Sequence, residues 1–178
     1  MNVETQEWRK IKLFSMHLTS QRILKQAIII TFNFQYEDST EDVNSLISVN
    51  GLESEKVSTL DDQKNILLQS DYTLPIGEMS KIELGYRGDF STRSTDFEVS
   101  FLEPASGDFL INNNLTNLFN FKQYITALYT QFGSKVGKFS YLLGLRFENT
   151  RITLDQPTTG DFNRKKNQWI ISHCEFKL

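Results

Sequence analysis

The stretch SKVGKFSYLLGLRFENTRITL, residues 134–154, alternates between apolar and polar side chains with a period of two. The apolar set is Phe139, Tyr141, Leu143, Leu145 and Phe147, and the opposite set includes Ser140, Gly144, Arg146 and Glu148. Successive side chains of a strand point to opposite faces, so the pattern predicts a strand whose two faces meet different surroundings. The apolar face meets either the core of a soluble protein or lipid.

The composition excludes some classes of function. The 178 residues suffice for one ordinary domain. A formal net charge of -3 provides no basic field, so nucleic acid is not an expected partner. No apolar run approaches the roughly 18 residues of a membrane-spanning helix. Membrane strands alternate and dilute hydropathy, so a mean hydropathy of -0.37 is compatible with a barrel.

Four further segments show the alternation that is typical of strands. They lie in QAIIITFNFQYED (26–38), KNILLQSDYTLPI (64–76), SKIELGYRGDFSTRSTDFEVSF (80–101) and LFNFKQYITALYTQFGSK (118–135). The last is the least regular, because Phe121, Ile125, Ala127 and Tyr129 form one face while Tyr124, Leu128 and Phe132 intrude on the other. The chain is therefore predicted to be all-β, an antiparallel up-and-down meander of about five to six long strands.

Short and long connections alternate along this meander. GEMS (77–80) and SKVG (134–137) have the length of hairpin turns, whereas the polar residues 38–62 and 93–118 are predicted to be long loops on one side of the sheet. Compact soluble domains seldom contain such loops, but outer-membrane barrels have short turns at one end and long loops at the other. Strands of about ten residues also match a tilted membrane span. Part of a transmembrane β-barrel is thus favoured, and a soluble β-sandwich or lipocalin-like binding module remains the alternative, together with a non-functional truncated product.

Two stretches carry a family resemblance. DQKNILLQSDYTLPIGEMSKIELGYRGDF (62–90) and NLFNFKQYITALYTQFGSKVGKFSYLLGLRFENTRITLDQ (117–156) resemble the barrel region of TonB-dependent outer-membrane receptors, in the outer-membrane β-barrel family. The resemblance implies a plugged barrel in the outer membrane that imports an iron chelate, a vitamin or a glycan. The predicted strands are too few to close a barrel, so the remaining strands and the plug of a full-length receptor, outer-membrane lipid and an external solute of unknown identity are the implied partners.

The resemblance also implies an organisation of the chain. Residues 26–166 would be the barrel segment, residues 1–25 an irregular or non-barrel lead-in, and residues 167–178 an atypical tail. The first residues lack the apolar stretch of a secretory signal, so nothing in them is expected to direct export.

The candidate functional residues belong to the two faces of the predicted strands. The lumen-facing candidates are Glu83, Arg87, Arg146 and Glu148. The lipid-facing candidates are Ile82, Leu84, Tyr86, Phe139, Tyr141, Leu143, Leu145 and Phe147. The four charged side chains either contact a plug and tune the passage of polar solutes, or pair across neighbouring strands and hold the wall in register.

No pattern for catalysis or metal binding stands out. His173, Cys174 and Glu175 are adjacent on a strand and therefore alternate in direction, and no second Cys or His pair has ligand spacing. GSKVGK (133–138) lacks the frame of a phosphate-binding loop and joins two strands. We therefore predict no catalytic residue, no cofactor, no metal ligand and no enzymatic activity.

Overall fold

The computed structural model describes residues 1–24, 26–137, 139–157 and 163–177, with side chains for these residues except 20–27, 163, 165 and 171–177. They form strands of 15 to 25 residues and one short strand. The strands are β1 (Asn2–Leu24), β2 (Gln26–Val49), β3 (Leu52–Ile76), β4 (Ser80–Leu102), β5 (Phe109–Ile111), β6 (Asn117–Val136), β7 (Phe139–Asp155) and β8 (Asn163–Lys177). No helix among these residues is long and apolar enough to cross a membrane.

All eight strands belong to one antiparallel sheet. The order is β1-β2-β3-β4-β6-β7-β8, and β5 pairs with the end of β4. Neighbours in the sheet are also neighbours in the chain, apart from the small β5 excursion, as expected for a meander. We call the end with the Gly77 and Gly137 turns the lower end, and the end with the Asn50 and Gly51 turn the upper end. Among the described residues β1 and β8 do not pair with each other, so the sheet is open.

The predicted all-β meander is confirmed, but the strand number was underestimated. Residues 1–25 were expected to be an irregular or non-barrel lead-in, whereas Asn2–Leu24 is a strand paired with β2 along its whole length. Residues 163–177 likewise form a strand, paired with β7. The predicted division of the chain into lead-in, barrel segment and tail is otherwise untested.

The predicted long loop over residues 38–62 was wrong. β2 and β3 continue to pair through this region and meet at Asn50 and Gly51, which both have positive φ (54° and 81°). Two consecutive positive φ angles are what a type I′ hairpin turn requires, and Asn-Gly is a preferred sequence for it. In the second expected loop, 93–118, β4 extends to Leu102, and only the stretch around β5 separates it from β6.

The sheet is a single layer. The accessible surface is 12857 Å², against about 8,900 Å² expected for a globular protein of this mass. Val99 and Ala127 are the buried hydrophobic residues among those described. A soluble β-sandwich would need a second sheet against the apolar face, and the described residues contain no such sheet. The apolar side chains are therefore left uncovered by the described part of the chain.

Candidate functional site on the two faces of the sheet

The register places the eight predicted lipid-facing residues on one face. Residues paired directly across antiparallel strands share a face. Ile82 pairs with Phe132, which pairs with Leu143, and Tyr86 connects in the same way through Leu128 to Phe147. Alternation along β4 and β7 brings the other four candidates to this face, which we call the apolar face. That it meets lipid stays a prediction.

The apolar side chains of this face form a band. The band covers nine residues on each of three strands, 28–36 on β2, 82–90 on β4 and 139–147 on β7. Nine to eleven residues are the length of a tilted strand across a membrane. Leu84, Leu128 and Leu145 in the band are 47%, 59% and 53% exposed. Beyond the upper edge of the band the same face becomes polar, although the strands continue.

Aromatic pairs are concentrated in this band. The ring centroids of Phe90 and Tyr124 are 5.8 Å apart at its upper edge, and those of Phe147 and Trp169 are 4.9 Å apart. Phe132 and Tyr141 are paired towards its lower edge, with centroids 6.1 Å apart. Aromatic girdles flank the outward apolar band of outer-membrane barrels.

The upper edge of the band is level across most of the sheet and lower on β7. On β2 the last apolar residue is Tyr36, and its row of paired residues continues through β3, β4 and β6 to Arg151 on β7. On β7 the last apolar residue is Phe147, four residues nearer the lower end. The last apolar residues of β1, β3, β4 and β6 lie in the same row as Tyr36, so the edge is level from β1 to β6 and is four residues lower on β7.

The four predicted lumen-facing residues share the opposite face, which we call the polar face. Arg87 forms an ion pair with Asp89 (3.4 Å), and Arg146 forms one with Glu148 (2.7 Å). Glu83 pairs with Lys81 (2.6 Å). Each of these pairs joins residues two apart on one strand, so the expected pairing across neighbouring strands was wrong. The cross-strand neighbours explain this, because Arg87 lies opposite Gln69 and Ala127, and Arg146 opposite Tyr129.

Two ion pairs of the polar face do join neighbouring strands, both towards the upper end. Arg93 on β4 holds both carboxylate oxygens of Asp61 on β3, with Nε donating over 2.8 Å, and Thr95 also donates to Asp61. The hydrogen bond to Asp61 raises the pKa of the Arg93 guanidinium above its ordinary value, opposed by partial burial. Arg9 approaches Glu41 at 3.9 Å.

A polar network crosses the polar face level with the apolar band. The ring of Tyr129 on β6 lies over Gly85 on β4, where an added Cβ would overlap it. The Tyr129 hydroxyl donates a hydrogen bond to Asp71 on β3. Thr31 on β2 (3.2 Å) and Gln69 (3.0 Å) donate to the same carboxylate. Side chains of three strands thus converge on Asp71 across the glycine of a fourth.

This network was missed in the sequence because β6 was assigned the wrong face. Tyr124, Leu128 and Phe132, expected to be intrusions, belong to the apolar face, whereas Ala127 and Tyr129 are on the polar face. The pairing of Gly85 with Tyr129 is the signal that could have identified the network. That pairing can be read only once the register between β4 and β6 is known.

A second polar chain lies nearer the upper end. Ser91 donates to Asn65 (2.7 Å), and Asn65 donates to Glu37 (3.2 Å), linking β4, β3 and β2. A shallow groove beside this chain is also lined by Asp89 and Gln123. The side chains of His173, Cys174 and Glu175 lie outside those described.

Comparisons with known proteins agree with this architecture. The sequence pattern of the Outer membrane protein beta-barrel family matches residues 23–170. This is more than half of the chain, so the chain belongs to that family, and the predicted outer-membrane location is confirmed. No curated protein sequence matches the chain significantly.

A solved structure has the same fold. The ferric citrate transporter FecA in its unliganded form superposes with a TM-score of 0.60 at 15% identity. The match covers 93% of this chain and 24% of the FecA chain. The chain therefore spans about a quarter of the length of that transporter, and the predicted likeness to a receptor barrel is confirmed at the level of fold.

Proposed function

We propose that this chain forms part of the wall of an outer-membrane receptor barrel, with its apolar face in lipid and its polar face towards the lumen. The observation that carries the proposal is the division of a single-layer sheet into an exposed apolar band and a face that holds all five ion pairs formed by the described side chains. Such a division suits a wall between hydrocarbon and water.

The polar face has the properties of a solvated inner wall. Five of its cations are paired with nearby carboxylates, so a polar solute meets ion pairs and hydrogen-bonding groups along this wall. Glu83, Arg87, Arg146 and Glu148 are assigned to this wall, facing a plug or a passing solute.

The activity we assign belongs to the complete barrel. The free edges of β1 and β8 would pair with further strands, because unpaired backbone groups are costly in lipid. Together with a plug, that barrel would import an iron chelate, a vitamin or a glycan, without enzymatic activity. FecA, which carries ferric citrate according to its name, supports the general class of transport and does not define the solute.

A dependence on detergent tests the orientation of the apolar face. The chain is refolded with and without a mild nonionic detergent, and its mass is measured by sedimentation. We expect folded, dispersed protein only in the presence of detergent, because the apolar band has no cover in water. A monomeric chain that unfolds cooperatively in detergent-free buffer would contradict the proposal and favour the soluble binding module.

A further inference from the structure

Lysine residues follow the apolar band directly at its upper edge. On the apolar face the first residue beyond the band is Lys12 after Phe14 on β1, Lys64 after Ile66 on β3, and Lys122 after Tyr124 on β6. These three lysines, which we call the basic rim, share one row of paired residues through Asp38 and Thr92. All three are exposed.

The basic rim differs from the paired cations of the other face. The five ion pairs seen among the described side chains all lie on the polar face, and none includes a rim lysine. The nearby acids of the apolar face have hydroxyl partners, since Tyr36 donates to Asp38 (3.2 Å) and Thr40 to Asp62 (2.6 Å). The rim ammonium groups are therefore available to an external anion.

The lower edge of the band has a different chemistry. There the first residues beyond the band on β4 and β6 are Ser80 and Ser134, which hydrogen-bond to each other (2.8 Å). Positive charge next to the band is thus found at one edge only, among the described side chains. An interaction with lipid headgroups would distinguish the two leaflets.

We propose that the basic rim binds the phosphate groups of lipid headgroups in the leaflet at the upper end. This inference rests on the proposed contact of the apolar face with lipid. Lys12, Lys64 and Lys122 are on alternate strands, about 10 Å apart, so each can meet a separate headgroup. Their long stems can follow the apolar surface while the ammonium groups remain at the level of the phosphates.

Flotation with vesicles tests the basic rim. The whole chain is refolded with phosphatidylcholine vesicles, and with vesicles that also contain phosphatidic acid, which presents a phosphate monoester. We expect tighter association with the anionic vesicles, and we expect K12Q/K64Q/K122Q to lose about 100-fold of that preference, or about five-fold per lysine. The single variant K64Q should lose about five-fold, which keeps the test open if the triple variant folds poorly.

The control removes the same charge from the polar face. K135Q/R164Q/K166Q replaces three exposed cations there and should keep the preference. An equal loss of preference in this control would overturn the proposal. Inorganic phosphate that removes the preference for anionic vesicles at low concentration would also overturn it, because that result would indicate a site for free anions. Equal association of the unmodified chain with both kinds of vesicle would overturn phosphate binding by the basic rim but not the contact of the apolar face with lipid. A failure to associate with either kind would overturn the lipid contact as well.

Discussion

Tyr129 of β6 lies across Gly85 of β4, and its hydroxyl reaches Asp71 of β3 beyond it. The glycine makes room for the ring, and the ring covers backbone that the glycine leaves bare. One side chain thereby connects three strands, and Thr31 extends the connection to β2.

Replacing Gly85 by alanine should destabilise the sheet. The added methyl group overlaps the Tyr129 ring, and forcing a side chain out of place in this way typically costs about 1–3 kcal/mol. Urea unfolding in detergent micelles would measure the loss. Gly133→Ala is the matched control on β6, because its Cβ would lie 3.4 Å from Leu142 Cδ1, an ordinary contact. Equal losses in the two variants would show that the ring over Gly85 is not the cause.

Removing the Tyr129 hydroxyl isolates the hydrogen bond from the ring. Tyr129→Phe keeps the cover over Gly85 but withdraws one donor from Asp71, and hydrogen bonds to charged groups contribute about 1.5–3 kcal/mol. The free energy of unfolding should decrease by that amount or less, since Thr31 and Gln69 still donate to Asp71. Tyr72→Phe on the apolar face is the control, and its hydroxyl has no hydrogen bond within the described part of the chain. A neutral Tyr129→Phe would mean that water replaces the donor without loss.

The Arg93 and Asp61 pair should show measurable coupling. A double-mutant cycle with Arg93→Gln and Asp61→Asn should give about 0.5–1 kcal/mol, reduced at high salt, because the guanidinium is half-exposed. The same cycle for Arg87 and Asp89, a single contact at 3.4 Å along one strand, should give almost none. Equal coupling energies in the two cycles would show that the bidentate geometry of the Arg93–Asp61 pair adds no stability.

The pH dependence of that coupling follows from Arg93. Its folded-state pKa lies above the ordinary value for an arginine side chain. The stabilisation from the arginine is therefore complete below that ordinary value and is lost only as the pH rises through the raised pKa. Deprotonation of Arg93 should make no contribution to any loss of stability near neutral pH.

A charge in the middle of the apolar band should impair folding into a membrane. Leu128→Arg places a guanidinium where the apolar face is 59% exposed, and lipid-facing arginine near the midplane costs about 2–4 kcal/mol. Urea titration in phosphatidylcholine vesicles would measure the cost. Gln131→Arg on the polar face of the same strand should change it little. Comparable costs in both variants would argue against lipid on the apolar face.

The sequence predicted the strands best where their two faces differ. Alternation identified 26–37 and 80–90 because there one face is apolar and the other is polar. From Glu37 to Val49 the alternation weakens while the strand continues, since beyond the band both faces carry polar groups. Pairing there is maintained by the backbone ladder and by cross-strand polar contacts such as Thr40 with Asp62, which depend on the register. The one local signal was Asn50-Gly51, embedded in a polar segment.

The candidate residues illustrate the same limit. The alternation of odd and even positions along one strand decides the faces of Ile82, Leu84, Arg146 and Glu148. These faces could therefore be assigned without the register between strands. The ion pairs between strands and the position of Tyr129 depend on which residue lies opposite, and a single sequence does not contain that information.

The level upper edge of the band measures how far the polar part of the sheet extends. On β2 the last apolar side chain of the band belongs to Tyr36, and residues 37–49 continue the strand to the turn at Asn50. At about 3.3 Å per residue, this extension is about 43 Å long along the strand. With the apolar face in lipid, as proposed, this length of hydrogen-bonded sheet would stand outside the membrane. A solute approaching from the upper end would therefore meet ordered β-structure well before it reached the headgroups.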